Sequence, residues 1–245
     1  MPSRSQKPSF RNFKLTLEYD GSRFFGFQRQ KNQPTIQAAL ETALSKLFNR
    51  RMKISAAAGR TDSGVHAAGQ VVNFKTDRRF PPEKIQKGLN ALLPREVAVK
   101  EIEEVPADFH ARFGARSKTY EYRVLNSSVR SPILNGRAYQ YPYDLDLGKM
   151  RSAAQRLVGQ HDFKAFQATG SSAKTSIRNI RRLSIQQEGA LLRLEIEADG
   201  FLYHMVRNIV GTLLEIGRGK HPAKGSRGPT VPAYGLTLTN VAYKR

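Results

Sequence analysis

FKLTLEY, residues 13–19, sets Phe13, Leu15, Leu17 and Tyr19 on one side of an extended chain and Lys14, Thr16 and Glu18 on the other. This alternation is the period of a half-buried strand. Outward from it, Thr35 is placed to cap a helix whose apolar residues Ile36, Ala39, Leu40, Ala43, Leu44 and Leu47 recur at helical spacing. Strands over residues 52–57 and 65–74, a proline-started helix with Ile85, Leu89 and Leu92, and a strand over 97–102 complete a βαββαβ order. The second half repeats it. A strand over 118–125 is followed by a helix capped by Asp146 and carrying Leu147, Met150, Ala154 and Leu157, then strands over 180–185 and 191–198. A helix with Val206, Ile209, Val210 and Leu213 leads to a last strand over 236–243. The expected fold class is therefore α+β: two ferredoxin-like halves, residues 13–117 and 118–245, after a disordered basic arm over 1–12. Two helices cover one sheet face of each half and leave the other face open as a platform or cleft.

Composition says what that face meets. The chain has 245 residues with 41 Lys+Arg against 20 Asp+Glu, a formal net charge of +21. Such an excess calls for a polyanionic partner, nucleic acid first. With no cysteine, disulfides, thiolate zinc sites, iron–sulfur clusters and cysteine nucleophiles are excluded, and a reducing, cytoplasmic location fits. The apolar stretch 201–216 is interrupted by His204, Arg207 and Asn208, too polar to cross a bilayer. The opening MPSRSQKPSFRN has no apolar core of a secretory signal. Residues 217–235 combine several Gly and Pro with no periodicity and no acid, which reads as a loop.

The chemistry concentrates in GRTDSGVHA, residues 59–67, between two strand-like runs. An aspartate in a T-D-S-G turn ordinarily satisfies turn amides, but Asp62 has Arg60 two residues away, and a carboxylate beside guanidinium stays ionised for nucleophilic or basic work. His66 alone reads as a core histidine, and no metal-ligand spacing surrounds it. Arg207 falls in the first part of its helix, where a cation opposes the macrodipole, so either another group holds it or its head lies in water over a packed stem. Tyr120 and Tyr122 share a strand face, a spacing that more often means sheet packing than a stacking platform. In DGSRFFGFQRQK, Arg23, Arg29 and Lys31 alternate with Phe24, Phe25 and Phe27, suited to phosphate contact with base stacking, or with Phe25 and Phe27 in the core.

These residues carry a pattern that resembles the tRNA pseudouridine synthase A family from Phe13 to Tyr243. The motifs are EYDGSRFFGFQRQ with TIQAALE, GRTDSGVHA, FHARFGARSKTYEYRVLN, GQHDFKAF, GFLYHMVRNIVGTLLEIGRGK and VPAYGLTLTNVAY, in order. The chain departs from the pattern at Phe27, where the family has tryptophan, and in a shorter segment between Ile216 and Gly235. The resemblance implies two ferredoxin-like halves fused into a mixed, largely antiparallel sheet with a central basic cleft. It implies isomerisation of uridine to pseudouridine in the anticodon stem-loop of tRNA, at tRNA positions 38–40, by a homodimer without cofactor, metal or membrane. It further implies that Asp62 is the essential aspartate, that Arg60 contacts RNA, that Tyr120 stacks on the target base, that Arg207 pairs with Asp62 or fills the vacated base position, and that Leu236 lines the pocket. Arg23 and Arg29 join as RNA-binding candidates. The competing reading is a non-catalytic RNA binder, in which a carboxylate inside the cleft would only repel phosphate.

Overall fold

A computed structural model describes residues 10–170, 173–220 and 227–244. Strand β1 (Arg11–Tyr19) opens two residues before the alternation does, because Arg11 pairs with Glu104 and the buried Asn12 side chain bonds the carbonyls of Pro106 and Phe109. Arg11 and Asn12 are therefore sheet residues rather than arm; residues 1–9 of the expected arm lie outside the described residues. Helix α1 (Ile36–Phe48) starts where the Thr35 hydroxyl accepts the Ala38 amide at 3.3 Å and stops at Asn49 in the left-handed region, φ 49°. Strands β2 (Ala56–Ala57) and β3 (His66–Thr76), helix α2 (Pro82–Leu92) and strand β4 (Val97–Val105) complete the first half. The strand expected over 52–57 is cut to its last two residues. The reason is local: the Met52 amide goes to Ser45 Oγ and the Ile54 amide to Glu41 Oε1, so α1 takes the donors that a longer ladder would use.

The second half comprises β5 (Ala115–Leu125), β6 (Tyr139–Gln140), α3 (Leu147–Gln155), β7 (Gly159–Asp162), β8 (Ile177–Glu188), β9 (Leu191–Ala198), α4 (Met205–Gly217) and β10 (Leu236–Tyr243). Asp146 caps α3, its carboxylate accepting the Lys149 amide at 3.0 Å. All ten strands join one sheet with the path β4-β1-β3-β10-β5-β9-β8-β7. The two halves have one plan, fourth–first–third–second strand: β4-β1-β3 with β2 on β3, and β10-β5-β9-β8. They meet where β10 runs parallel to the start of β3, through Thr237 opposite His66 and Leu238 opposite Ala67. Gly69 permits this approach, since a β-carbon there would lie 2.4 Å from the Thr239 carbonyl oxygen.

Helix α1 packs on α2 and α3 on α4, and each pair covers one face of its half-sheet. The core runs unbroken across the junction, from Phe13, Leu15, Leu17, Leu40 and Phe74 to Tyr122, Met150, Leu194, Ile196 and Ile209, all under 1% exposed. The opposite face is not open throughout. Residues 106–114 cross it over β1 and β3, held by Asn73, whose side chain donates to Asn12 Oδ1 and accepts the Ala111 amide. Among the described residues no helix is long and apolar enough to cross a membrane.

Candidate active site

Asp62 sits in the turn that leads into β3, beside the junction with β10. The turn is fixed from below by the segment after β1. Tyr19 and Thr61 share a hydroxyl hydrogen bond of 2.7 Å, the Phe27 amide donates to the Thr61 carbonyl, and the Gly64 amide donates to Phe24. Gly21 lies so close beneath that a β-carbon would stand 2.0 Å from the Val65 carbonyl oxygen. Burial pushes the Tyr19 phenol up to about 12, so it remains a neutral hydrogen-bonding group.

A second set of contacts holds the next residues. Buried His66 accepts the Gly21 amide at Nδ1, which places its ring proton on Nε2, within 3.0 Å of the Gly136 and 3.1 Å of the Tyr234 carbonyl oxygens. Arg137 reaches the same ring and bonds Asp20 Oδ2 at 2.7 Å. Burial, then the Arg137 charge, holds His66 below the ordinary histidine value, and the Arg137 hydrogen bond holds Asp20 well below the carboxylate range. The core reading of His66 stands, but its contact with Arg137, which also binds Asp20, could not be read from a spacing of 71 residues.

The Asp62 carboxylate does not fold back on turn amides. It points at α4, where Arg207 Nη1 stands 3.7 Å and His204 Nε2 3.5 Å from Oδ2. Arg60, the cation expected at its side, instead projects into solvent without a partner among the described residues. Asp62 is 25% exposed and Arg207 15%. Burial raises the Asp62 carboxyl above its ordinary value, and the charges of His204 and then Arg207 oppose that rise. Arg207 is held against the helix dipole by a 2.7 Å bond from Nε to the Val231 carbonyl oxygen. His204, a residue that sequence reasoning missed, enters α4 with φ 59° and ψ 7°, a left-handed conformation that few non-glycine residues adopt.

Tyr120 on β5 lies opposite Leu238 on β10 and Ile196 on β9. Its ring is 7% exposed and meets Phe201 edge-on at 5.1 Å. Burial, then the nearby Tyr19 and Asp62, push its phenol far above the usual tyrosine value, and its hydroxyl makes no hydrogen bond among the described residues. Tyr122 has the packing role, wholly buried and bonded to the Pro232 carbonyl oxygen at 2.8 Å. Leu236 lies opposite Tyr122, buried on the face that carries Tyr120. Arg23 and Arg29 do not touch Asp62: Arg23 pairs with Glu96 at 3.0 Å, and Arg29 with buried Glu41 at 2.8 Å. Of the loop phenylalanines, Phe24 and Phe27 are core while Phe25 is 48% exposed. Among the described residues no three His, Asp or Glu side chains are grouped to hold a metal ion.

The site thus sets the Asp62 carboxylate against the Arg207 guanidinium and the His204 imidazole, which burial holds below the ordinary histidine value, in a partly open position between two fused ferredoxin-like halves. A family model described as tRNA pseudouridine synthase matches residues 16–114 and 153–244. The tRNA pseudouridine synthase A of Acetivibrio thermocellus is 44% identical over 244 residues, covering 95% of this chain and 100% of that protein. That of Caldicellulosiruptor bescii is 41% identical with the same coverage, and that of Chromobacterium violaceum 46% identical, covering 94% and 92%. A solved chain in a Cbf5-Nop10-Gar1 complex is similar over 93% of this chain and 49% of that one, with 12% identity and a TM-score of 0.43. The chain belongs to the tRNA pseudouridine synthase family. It is an isomerase that forms pseudouridine.

Proposed function

We propose that this isomerase converts uridine to pseudouridine in the anticodon stem-loop of tRNA, at tRNA positions 38–40, with Asp62 as the essential carboxylate. It does so without cofactor, as a cytoplasmic homodimer whose halves, residues 13–117 and 118–245, flank the site. The observation that carries this reading is convergence: Asp62, Tyr120 and Arg207 come from three distant segments, and Asp62 sits within reach of Arg207 and close enough to bear on Tyr120.

In the reaction the bond from uracil N1 to the ribose carbon breaks, the ring turns, and C5 bonds to that carbon. The C5 proton is lost and N1 gains one, so the change is isomeric. Asp62 must face the ribose as an anion, whether it attacks the sugar carbon or takes the C2′ proton. Arg207 and His204 favour that anion against the burial that opposes it. The uridine must leave its stack, at a cost of a few kcal/mol, which the Tyr120 ring and a basic surface offset. The phenol of Tyr120 stays protonated at neutral pH, which suits a stacking surface better than a base. Leu236 lines the pocket, exposed Arg60 and Arg23 face the RNA backbone, and Arg29 serves at its edge.

The test is to map pseudouridine in tRNA incubated with purified protein, without metal or nucleotide, alongside Asp62→Asn. The wild type forms pseudouridine in the anticodon stem-loop. Asp62→Asn binds tRNA within a few-fold of wild type and forms no product in a single turnover. Product elsewhere in the tRNA would overturn the position, and substantial product from Asp62→Asn would overturn the carboxylate.

A further inference from the structure

Lys118 lies on β5 two residues before Tyr120, so the two side chains share a sheet face about 7 Å apart. The segment leading to Asp62 runs alongside them. Gly59 lies over Lys118, where a β-carbon on the glycine would meet Lys118 Cε at 3.6 Å and Nζ at 3.7 Å, while three residues later Asp62 lies by Tyr120. Lys118 is half-buried, opposite Ala198 on β9 and Val241 on β10. It forms no ion pair among the described residues.

The groups that bear on Lys118 are mostly of its own sign. The charge of Arg112, on the segment that crosses the sheet, and that of Arg178, at the start of β8, both act on it. Arg112 has no acidic partner among the described residues; its guanidinium lies 5.7 Å over the Phe113 ring. Among the described residues Arg178 donates only to the carbonyl oxygens of Thr175 and Ile177, and it passes Gly200, next to the Phe201 that packs on Tyr120. Among the described residues the one acid that bears on Lys118 is Asp199, which accepts the Asn179 amide and makes no ion pair there. Arg60 follows Gly59 with its own charge unpaired among the described residues. Burial, then Arg112 and Arg178, pull Lys118 below the ordinary lysine value. The charges of Arg112 and Arg178 thus work against that of half-buried Lys118 in the free protein, and an anion at Lys118 relieves the repulsion.

We propose that Lys118, Arg112 and Arg178 form a subsite for one phosphodiester of the RNA, the phosphate attached to the target nucleotide. The geometry sets the register: with the uracil against Tyr120 and its ribose at Asp62, the adjoining phosphate falls one side-chain step along the strand, at Lys118. The subsite deepens the reading given above and rests on it, because the uracil's place at Tyr120 fixes which phosphate is meant.

The test pairs a protein change with an RNA change. Wild type, Lys118→Met, Lys118→Arg and Arg178→Gln are titrated with synthetic anticodon stem-loops carrying one neutral methylphosphonate at successive positions around the target uridine. Melting temperatures are recorded for each protein. Lys118→Met is expected to weaken binding about tenfold and to lower the slope of log affinity against log salt by about 1. Its melting temperature stays the same or rises, because a repulsion is removed. The methylphosphonate beside the target uridine weakens wild type by a similar factor but leaves Lys118→Met no weaker, Arg178→Gln shows part of that coupling, and Lys118→Arg behaves as wild type. Additive losses at every position, or an unchanged salt slope, would overturn the subsite. Should Lys118→Met fail to fold, the coupling measured with Arg178→Gln decides alone. Coupling at a phosphate remote from the target would keep a phosphate site and overturn the uracil's place at Tyr120, so the two failures are distinguishable.

Discussion

At the scale of single residues, the site sets a carboxylate that burial drives toward neutrality against two groups that favour its charge. His204 carries a conformational cost for its position. Its left-handed backbone would be relaxed by glycine, at a gain of about 1 kcal/mol. His204→Gly is therefore expected to raise the melting temperature by about 2–4 °C and to slow single-turnover pseudouridine formation at least tenfold. The acid limb of its rate profile moves to higher pH, since one group that lowers the Asp62 pKa is gone. Calorimetry and rapid quench on the same preparation check both; a faster or unchanged rate would show that Asp62 needs only Arg207. Tyr120 separates differently. Tyr120→Phe keeps the ring and loses a hydroxyl that has no hydrogen bond among the described residues, so affinity and stability should hold. Tyr120→Ala loses the ring that packs on Phe201 and is expected to cost about 3–5 kcal/mol of stability along with turnover. Normal turnover by a stably folded Tyr120→Ala would end the stacking role.

At the scale of elements, what was legible followed from local rules. Thr35 and Asp146 cap the helices that their spacing marks, and β9 and β10 have the expected bounds, because alternation and capping are encoded within a few residues. The short β2 was not legible, since its donors are taken by Glu41 and Ser45 on a helix that comes earlier in sequence. The same distinction runs through the site. Asp62 and Arg207 stood out by motif, while His204 needed its backbone angle and Asp20–His66–Arg137 needed the fold. The β3–β10 seam rests on Gly69, so Gly69→Ala should be destabilising by about 1–3 kcal/mol, measured by urea unfolding, although alanine is an ordinary strand residue. An unchanged midpoint would mean that β10 shifts at little cost.

On the scale of the whole molecule, the halves are tied by side chains as well as by the sheet. Asp20 and Arg137 come from opposite halves and bond at 2.7 Å. The hydrogen bond from Arg137 depresses the Asp20 pKa in the folded protein. Its stabilisation is therefore complete above the unfolded carboxylate value of about 4 and is lost as pH falls through the lower folded value. Asp20→Asn is expected to lower stability at pH 7 by about 1 kcal/mol, the partly exposed pair being screened by water. That deficit should shrink as pH is taken below about 4, which urea titrations at pH 7 and pH 3 would show. A constant deficit would mean that the amide disturbs the turn at Ser22 instead.

The place of β10 between β3 and β5 has a consequence in time. A ribosome that has just made β3 must add about 160 residues before Leu236 is made, on the order of 10–30 s at bacterial or eukaryotic elongation rates. Throughout that interval the start of β3 is left without its β10 partner, beside the candidate site. For most of it Asp62, already translated, has neither Arg207 nor His204 to face. The nascent chain is thus exposed to mispairing and chaperone capture beside its candidate site. Competence arrives only when the last of its ten strands closes the seam.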